Sequence, residues 1–161
     1  MRVPLTLALV AAVATVASAA QDTVVGRMVP ARHDAPSVAS TGSARATYVL
    51  HCGGCHGLDG RGAPERYVPD LRRIGRFLQV DGGRGFIVQV PGVMGSGLDD
   101  TQVAAVTNWL LATLARDSAP PGTPPYSAAE VARWRAQPLV DVALARRRLL
   151  ATAQAGGVAI D

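Results

Sequence analysis

The chain has 161 residues but contains no lysine and only two cysteines. All sixteen basic residues are arginine, and their scattered distribution argues against a nucleic-acid-binding surface. A structural zinc site needs four ligands, and two cysteines with His33 and His51 at no recognisable zinc spacing do not provide them. No internal repeat is visible, and the single long apolar run lies at the N-terminus. The length is sufficient for one domain with a hydrophobic core.

The N-terminal apolar run has the features of an export signal. Arg2 supplies a short positive segment, residues 5–17 are almost wholly apolar, and Ala17-Ser18-Ala19 matches a cleavage site of the A-x-A type. The run is short for a membrane span, and an uncleaved N-terminal anchor is the alternative. We therefore predict a secretory signal peptide over residues 1–19 and no stable membrane span after its removal.

Both cysteines lie in the sequence Cys52-Gly53-Gly54-Cys55-His56, which is typical of c-type haem attachment. This spacing allows each thiol to add to one haem vinyl group, and it presents the histidine to the iron. A redox dithiol of thioredoxin type and half of a zinc site are the alternatives, but no βαβ pattern surrounds the motif. We predict one covalent haem c, held by Cys52 and Cys55, with His56 as the proximal iron ligand.

The haem motif also bears on where the protein resides. Covalent haem attachment of this kind takes place outside the bacterial cytoplasm. The signal peptide and the haem motif therefore support each other, and together they predict a periplasmic location.

Composition changes along the chain predict five regions. Prolines without a clear period indicate an extended arm after the signal peptide, and helical character begins near Ser40. Four prolines and a glycine within residues 118–125 indicate a stiff linker. The predicted boundaries are a signal peptide 1–19, an N-terminal arm 20–39, a haem domain 40–116, a linker 117–126 and a C-terminal helical extension 127–161.

Hydrophobic spacing predicts several helices within residues 40–116. A short amphipathic helix over residues 43–51 leads into the haem motif, and another is expected over residues 71–78. Phe86–Val90 alternates as a strand does, but because no partner strand is evident we predict a short helix or an extended segment. The strongest pattern has Asp99 in its first turn and predicts a core helix that ends near Arg116.

The C-terminal extension begins with a capping-box pattern, in which Ser127 is the N-cap and Glu130 follows three positions later. An amphipathic helix is predicted over residues 128–153, with an interruption near Pro138. A frayed tail is predicted from Gly156 onward.

The sixth iron ligand has to come from outside the cysteine motif. Met94 follows His56 by 38 residues and lies in a glycine-rich stretch, residues 92–97, that is predicted to be a flexible loop. Methionine, histidine, water or no ligand are the options on the second face of a haem iron, and because the glycine-rich stretch can fold over that face we predict Met94 as the distal ligand. His33, His51 and an open distal face remain the alternatives.

The run Tyr48–Ala115 resembles the class I cytochromes c, which are small helical electron-transfer domains. The resemblance implies an all-α fold around one haem, with the C-terminal extension lying outside the minimal domain. The methionine is followed by Gly95, where proline is frequent in that family. The matching pieces, in chain order, are Cys52-Gly53-Gly54-Cys55-His56-Gly57, Asp59-Gly60-Arg61-Gly62, Pro69-Asp70-Leu71, Met94 and the helix with Trp109.

The resemblance also implies two further roles. In the family, a proline carbonyl accepts the hydrogen bond from the proximal histidine's second nitrogen, and Pro69 is the matching position. The N-terminal helix crosses the C-terminal one through small and aromatic residues, and Trp109 is expected at that crossing. The candidate partners of Trp109 are Gly42, Ala46 and Tyr48.

Taken together, these patterns predict a periplasmic monohaem c-type cytochrome that carries single electrons and is not itself an enzyme. The expected partners are redox proteins, with a periplasmic dehydrogenase as donor and a downstream cytochrome or oxidase as acceptor. Two alternatives stay open at this point. One is a haem protein with an open distal face and peroxidase or gas-binding activity, and the other is a fixed cytochrome subunit of a dehydrogenase complex.

Overall fold

The computed structural model describes residues 41–160 of the chain, with side chains from Ala44 onward. The predicted signal peptide, the predicted N-terminal arm and His33 lie outside the described residues. Within them, the prediction of an all-α fold is confirmed, because every regular element is a helix. The α-helices are α1 (Thr41–His51), α2 (Gly53–His56), α3 (Gly83–Gln89), α4 (Pro91–Met94), α5 (Asp100–Ala112), α6 (Ala128–Arg135) and α7 (Val142–Ala155), and 3₁₀ helices span Pro64–Arg66 and Leu71–Gln79.

Helix α1 packs across α5, and this crossing positions the start of the cysteine motif. Tyr48 of α1 is 1% exposed, and its ring lies 5.2 Å from the ring of Trp109 with a tilt of 42°. Aromatic pairs favour such tilted geometries over face-to-face stacking. Tyr48, one of the candidate partners of Trp109, is therefore in ring contact with it.

Helix α5 is the central element of the core, and Asp99, predicted to lie in its first turn, caps its N-terminus instead. Asp99 is the N-cap: its side chain accepts a hydrogen bond from the Gln102 amide, and the Gln102 side chain accepts one from the Asp99 amide. The helix ends at Ala112, about one turn earlier than predicted. The reason is that the Ala115 amide turns back to the Leu110 carbonyl and closes the helix.

The strand-like alternation of Phe86–Val90 is misleading, because most of this segment belongs to helix α3. Helix α3 has no polar face, because it is buried on several sides and almost all of its residues are inaccessible to solvent. Its sequence therefore does not show the period of an amphipathic helix. A Cβ at Gly83 would collide with the Phe77 carbonyl, and one at Gly85 would lie 2.7 Å from the Trp134 ring. These two glycines therefore let neighbouring helices approach α3 closely on two sides.

The C-terminal helices share the hydrophobic core with the N-terminal ones. Val131 of α6 is completely buried, and Tyr126 and Ile160 are each 4% exposed within the same cluster. The prediction of a frayed tail after Gly156 is wrong. The Val158 amide donates to the Ala153 carbonyl, and this turn returns the chain to the core, where Ile160 is buried.

The start of α6 departs in one detail from the predicted capping box. Ser127 accepts a hydrogen bond from the Glu130 amide at 3.1 Å, as an N-cap does. The Glu130 carboxylate does not complete the box, because it pairs with the guanidinium of Arg84 on α3. The interruption predicted near Pro138 is the break between α6 and α7. None of the helices in residues 41–160 is long and apolar enough to cross a membrane.

Candidate functional site

The cysteine motif forms a continuation of α1 rather than a loop. The Cys52 amide donates to the Tyr48 carbonyl at 2.8 Å, and the His56 amide donates to the Cys52 carbonyl at 3.0 Å. Helical spacing places side chains three positions apart on the same side of a turn. Cys52 and Cys55 therefore lie side by side, with His56 on the next position of the same turn.

Both thiols are free in the described structure, and they differ in accessibility. Cys55 is exposed, whereas Cys52 is half-buried at the junction of α1 and α2. Burial raises the pKa of the Cys52 thiol, and the neighbouring Cys55 raises it further. Cys52 is consequently a neutral thiol near pH 7, and it is packed against the hydrophobic core.

The imidazole of His56 is oriented by a backbone carbonyl. Its Nδ1 atom lies 3.0 Å from the carbonyl oxygen of Pro69. Because a carbonyl oxygen only accepts hydrogen bonds, this contact requires the proton on Nδ1 and leaves the Nε2 lone pair free. A histidine held in this way presents Nε2 to a metal in a fixed direction.

Pro69 is held from its C-terminal side by a helix cap. Asp70 caps the 3₁₀ helix Leu71–Gln79 by accepting a hydrogen bond from the Arg72 amide at 2.9 Å. The Arg72 guanidinium also pairs with the Asp70 carboxylate, and this hydrogen bond lowers the pKa of Asp70. Since Asp70 follows Pro69 directly, the cap restrains the peptide whose carbonyl faces His56.

Gly62 holds the same contact from the other side, and the sequence indicates it only as part of the family pattern Asp59-Gly60-Arg61-Gly62. Its amide donates to the His56 carbonyl at 2.8 Å, and its φ of +67° is in the left-handed region. A Cβ on Gly62 would collide with the Pro69 carbonyl oxygen and would lie 2.6 Å from the Val68 carbonyl oxygen. The absence of a side chain therefore allows Pro69 to approach His56.

Tyr48 links the crossing of α1 and α5 to the loop that follows the motif. Its hydroxyl donates to the Gly57 carbonyl at 2.6 Å, and burial raises the pKa of Tyr48 to about 12. The Leu71 amide donates to the Gly60 carbonyl at 2.8 Å in the same loop. These bonds fix the chain between His56 and Pro69 at several points.

Met94 is the last residue of the short helix α4, so the stretch predicted to be a flexible loop is partly helical. Pro91 starts this helix at a position that proline favours, and the Met94 amide donates to the Val90 carbonyl at 3.0 Å. The Met94 side chain is half-buried. Nearby, Nδ1 of His51 lies 3.2 Å from the Ser96 carbonyl, so the segment after Met94 is joined to the end of α1.

The donor atoms of this region fit a haem of c type. Two adjacent free thiols match two vinyl groups, and an imidazole with a free Nε2 matches an axial position of the iron. The Met94 thioether lies on a segment that is tied to the end of α1 by the contact between His51 and Ser96. The alternative ligand His51 resembles His56 in one respect: its Nδ1 lies beside a backbone carbonyl, that of Ser96, and this contact leaves its Nε2 free.

The helical fold and this donor set define a c-type cytochrome. The chain is 30% identical over 124 residues to cytochrome c-552 of Thermus thermophilus, an alignment that covers 65% of this chain and 95% of that protein. It is also 30% identical to a second cytochrome c-552 from the same species, with 84% of that protein covered. No protein-family model matches the chain. The chain belongs to the c-type cytochromes, which are haem c electron-transfer proteins.

Proposed function

We propose that this cytochrome is a periplasmic monohaem carrier of single electrons, with a periplasmic dehydrogenase as donor and a downstream cytochrome or oxidase as acceptor. The haem c, when bound, supplies a one-electron couple between ferric and ferrous iron. In this proposal Cys52 and Cys55 form the two thioether bonds, His56 is the proximal ligand, and Met94 is the distal ligand. Residues 1–19 act as the export signal.

The contact between His56 and Pro69 is the observation that carries the proposal. A redox dithiol does not require a histidine with its Nδ1 proton fixed by a carbonyl, whereas an axial iron ligand does. The contact is also held from both sides, by the Asp70 cap and by the absence of a side chain at Gly62. These features support a site that is built to orient Nε2.

The exposure of the motif supports electron transfer at its edge. Cys55 and the neighbouring Leu58 are exposed, and the Leu58 side chain is 68% accessible. A haem bonded to Cys55 would therefore have its thioether edge near the protein surface. A half-buried methionine on the distal side would keep substrates away from the iron, which suits a carrier and not a catalyst.

Covalent attachment is tested by replacing both cysteines. The variant with Cys52→Ala and Cys55→Ala, expressed with a haem-attachment system, is expected to show no haem staining on a denaturing gel. The wild-type chain is expected to stain at the mass of the processed protein. The Ser96→Ala variant is a suitable control, because its hydroxyl lies outside the motif and it should stain as the wild type does. Haem stain that survives in the double variant would refute thioether attachment.

A further inference from the structure

The segment that bears Met94 joins α3 to α5. Both of its ends are bound by residues 134–137, at the end of α6. The amide nitrogen Nε2 of Gln89, the last residue of α3, donates to the Trp134 carbonyl at 2.9 Å and to the Gln137 carbonyl at 2.6 Å. Gln89 is only 7% exposed, so these are buried hydrogen bonds that fix the point where the segment begins.

The other end of the segment is bound by Arg135, which lies between those two carbonyl residues in the sequence. Its Nη1 donates to the Leu98 carbonyl at 3.1 Å and to the Asp100 carboxylate at 2.7 Å. The Arg135 side chain is 19% exposed, so its charge is largely withdrawn from water. Hydrogen bonds from a charged donor in such surroundings are stronger than neutral ones.

These contacts are not needed to build α5 itself. The N-terminus of α5 is already closed by the reciprocal capping box of Asp99 and Gln102. Leu98, whose carbonyl Arg135 binds, precedes the helix and belongs to the segment. Arg135 therefore restrains the exit of the segment through Leu98, in addition to its ion pair with Asp100 at the start of α5.

The end of α6 is itself firmly held, so it can act as a fixed support. Val131 is completely buried, and the Glu130 carboxylate is paired with Arg84 of α3. The Trp134 ring packs so closely on Gly85 that a Cβ there would lie 2.7 Å from the ring. The two anchoring points are thus attached to a part of α6 that has little freedom to move.

We propose that the end of α6 positions the distal ligand, with Gln89 and Arg135 as positioning residues that set the placement of Met94. The proposal rests on the proposed function, in which Met94 binds iron. It assigns the C-terminal helices, which lie outside the minimal domain of the family, a role in haem ligation. Loss of either anchor frees one end of the segment, and the bond between the methionine sulfur and the iron then opens more often.

The test uses the full-length holoprotein and the weak near-infrared band of ferric iron bonded to sulfur. Arg135→Ala and Gln89→Met are compared with Arg133→Ala, a matched control because Arg133 lies on the same helix and is exposed. Both test variants are expected to lose at least half of the band at a temperature where far-ultraviolet circular dichroism is still native. Carbon monoxide should also bind the reduced test variants about tenfold faster, since each variant loses the two hydrogen bonds that hold one end of the segment.

The Arg135→Lys variant distinguishes the loss of the hydrogen bonds to Leu98 and Asp100 from the loss of side-chain volume. It retains a cationic donor near Leu98 and Asp100, and it is expected to recover at least half of the band lost in Arg135→Ala. Should Arg135→Ala fail to fold, Arg135→Lys and Gln89→Met still decide the matter. A wild-type band together with test variants that match Arg133→Ala would overturn the inference. A wild-type spectrum that lacks the band, or a band unchanged in Met94→Ala, would instead refute Met94 as ligand.

Discussion

At the scale of single residues, the geometry around His56 depends on an atom that is absent. Gly62 has no Cβ, and the space that a Cβ would fill is taken by the Pro69 carbonyl oxygen. The same carbonyl oxygen is the partner of His56 Nδ1. The orientation of the His56 imidazole thus depends on the absence of a side chain at Gly62.

Replacing this glycine tests that dependence. Gly62→Ala should lower the free energy of unfolding of the holoprotein by about 2 kcal/mol or more, because the left-handed φ and the collision with Pro69 both oppose it. It should also shift the reduction potential, because the hydrogen bond from His56 lengthens. Thermal or denaturant unfolding and a redox titration measure the two effects. Gly156→Ala is the control, since its Cβ would meet only ordinary contacts. Equal behaviour of the two variants would contradict this role of Gly62.

The sequence allowed only part of this site to be predicted. Cys52, Cys55 and His56 could be assigned from five consecutive residues, because the chemistry of haem attachment demands that spacing. The role of Gly62 depends on a chain segment that returns seven residues later, and no local pattern reports that approach. The hydrogen bonds from Gln89 to Trp134 and from Arg135 to Leu98 join parts of the chain more than thirty residues apart. Such contacts leave no periodic signal in one sequence.

At the scale of elements, helices α3 and α6 are joined by a charged contact at the edge of the core. The Arg84 guanidinium pairs with the Glu130 carboxylate and lies 3.9 Å from the centre of the Tyr126 ring. The Tyr126 hydroxyl donates to the Arg84 carbonyl at 2.9 Å. The sequence predicts a capping box for Glu130, because Ser127 lies only three positions before it. Its actual partner, Arg84 on α3, lies 46 residues away and leaves no local pattern.

The ion pair makes stability depend on pH in a defined direction. The hydrogen bond from Arg84 lowers the pKa of Glu130 in the folded protein. The stabilisation is therefore fully present above the unfolded pKa of about 4.3, and it is lost as the pH falls through the lower folded pKa. Glu130→Gln should cost about 1–2 kcal/mol at pH 7. Its deficit relative to wild type should shrink in the acid range below about pH 4.

Denaturant unfolding between pH 3 and pH 7 measures this dependence. Glu65→Gln is the control, because Glu65 is exposed and lies on the short 3₁₀ helix Pro64–Arg66. The control should match wild type across the range. A deficit of Glu130→Gln that grows toward acid pH would contradict the assigned sign.

Helix boundaries show which elements a single sequence can specify. The start of α5 was predictable because Asp99 and Gln102 form a local cap, and its apolar residues recur at helical spacing. The fold of α3 was not predictable with the same precision. Its side chains are buried on several faces, so they show no polar face from which a period can be read.

At the scale of the whole molecule, the C-terminal helices belong to the same core as the helices that flank the cysteine motif. Val131, Ala153 and Ile160 are all almost fully buried in the common hydrophobic cluster. The boundary predicted at residue 127 came from a proline-rich stretch, but the start of that stretch is docked on the preceding residues. The Ser118 hydroxyl accepts a hydrogen bond from the Gly75 amide at 3.1 Å. Proline content marks an irregular backbone, and it does not show whether that backbone is docked.

Removal of residues 127–161 should therefore destabilise the entire cytochrome. Each fully buried aliphatic side chain contributes about 1.5–3 kcal/mol, and the total stability of a domain is only about 5–15 kcal/mol. We expect the truncated holoprotein to lose cooperative thermal unfolding. Two matched valine-to-alanine substitutions test the contribution of the C-terminal helices with a smaller change to the protein. Val131→Ala should cost about 2 kcal/mol, whereas the fully exposed Val140 should tolerate the same change. A truncated chain that unfolds as the wild type does would show that the extension is dispensable.

The central claim, that this chain carries single electrons on a haem held by His56 and Met94, is tested most directly by a potentiometric titration of the purified holoprotein followed optically. The account predicts one reversible transition with a slope of about 59 mV per decade, as expected for a one-electron couple. The near-infrared band of sulfur-bonded ferric iron should appear with the oxidised form. A two-electron slope of about 30 mV per decade without a haem spectrum would instead identify a cysteine dithiol couple, and it would contradict the account.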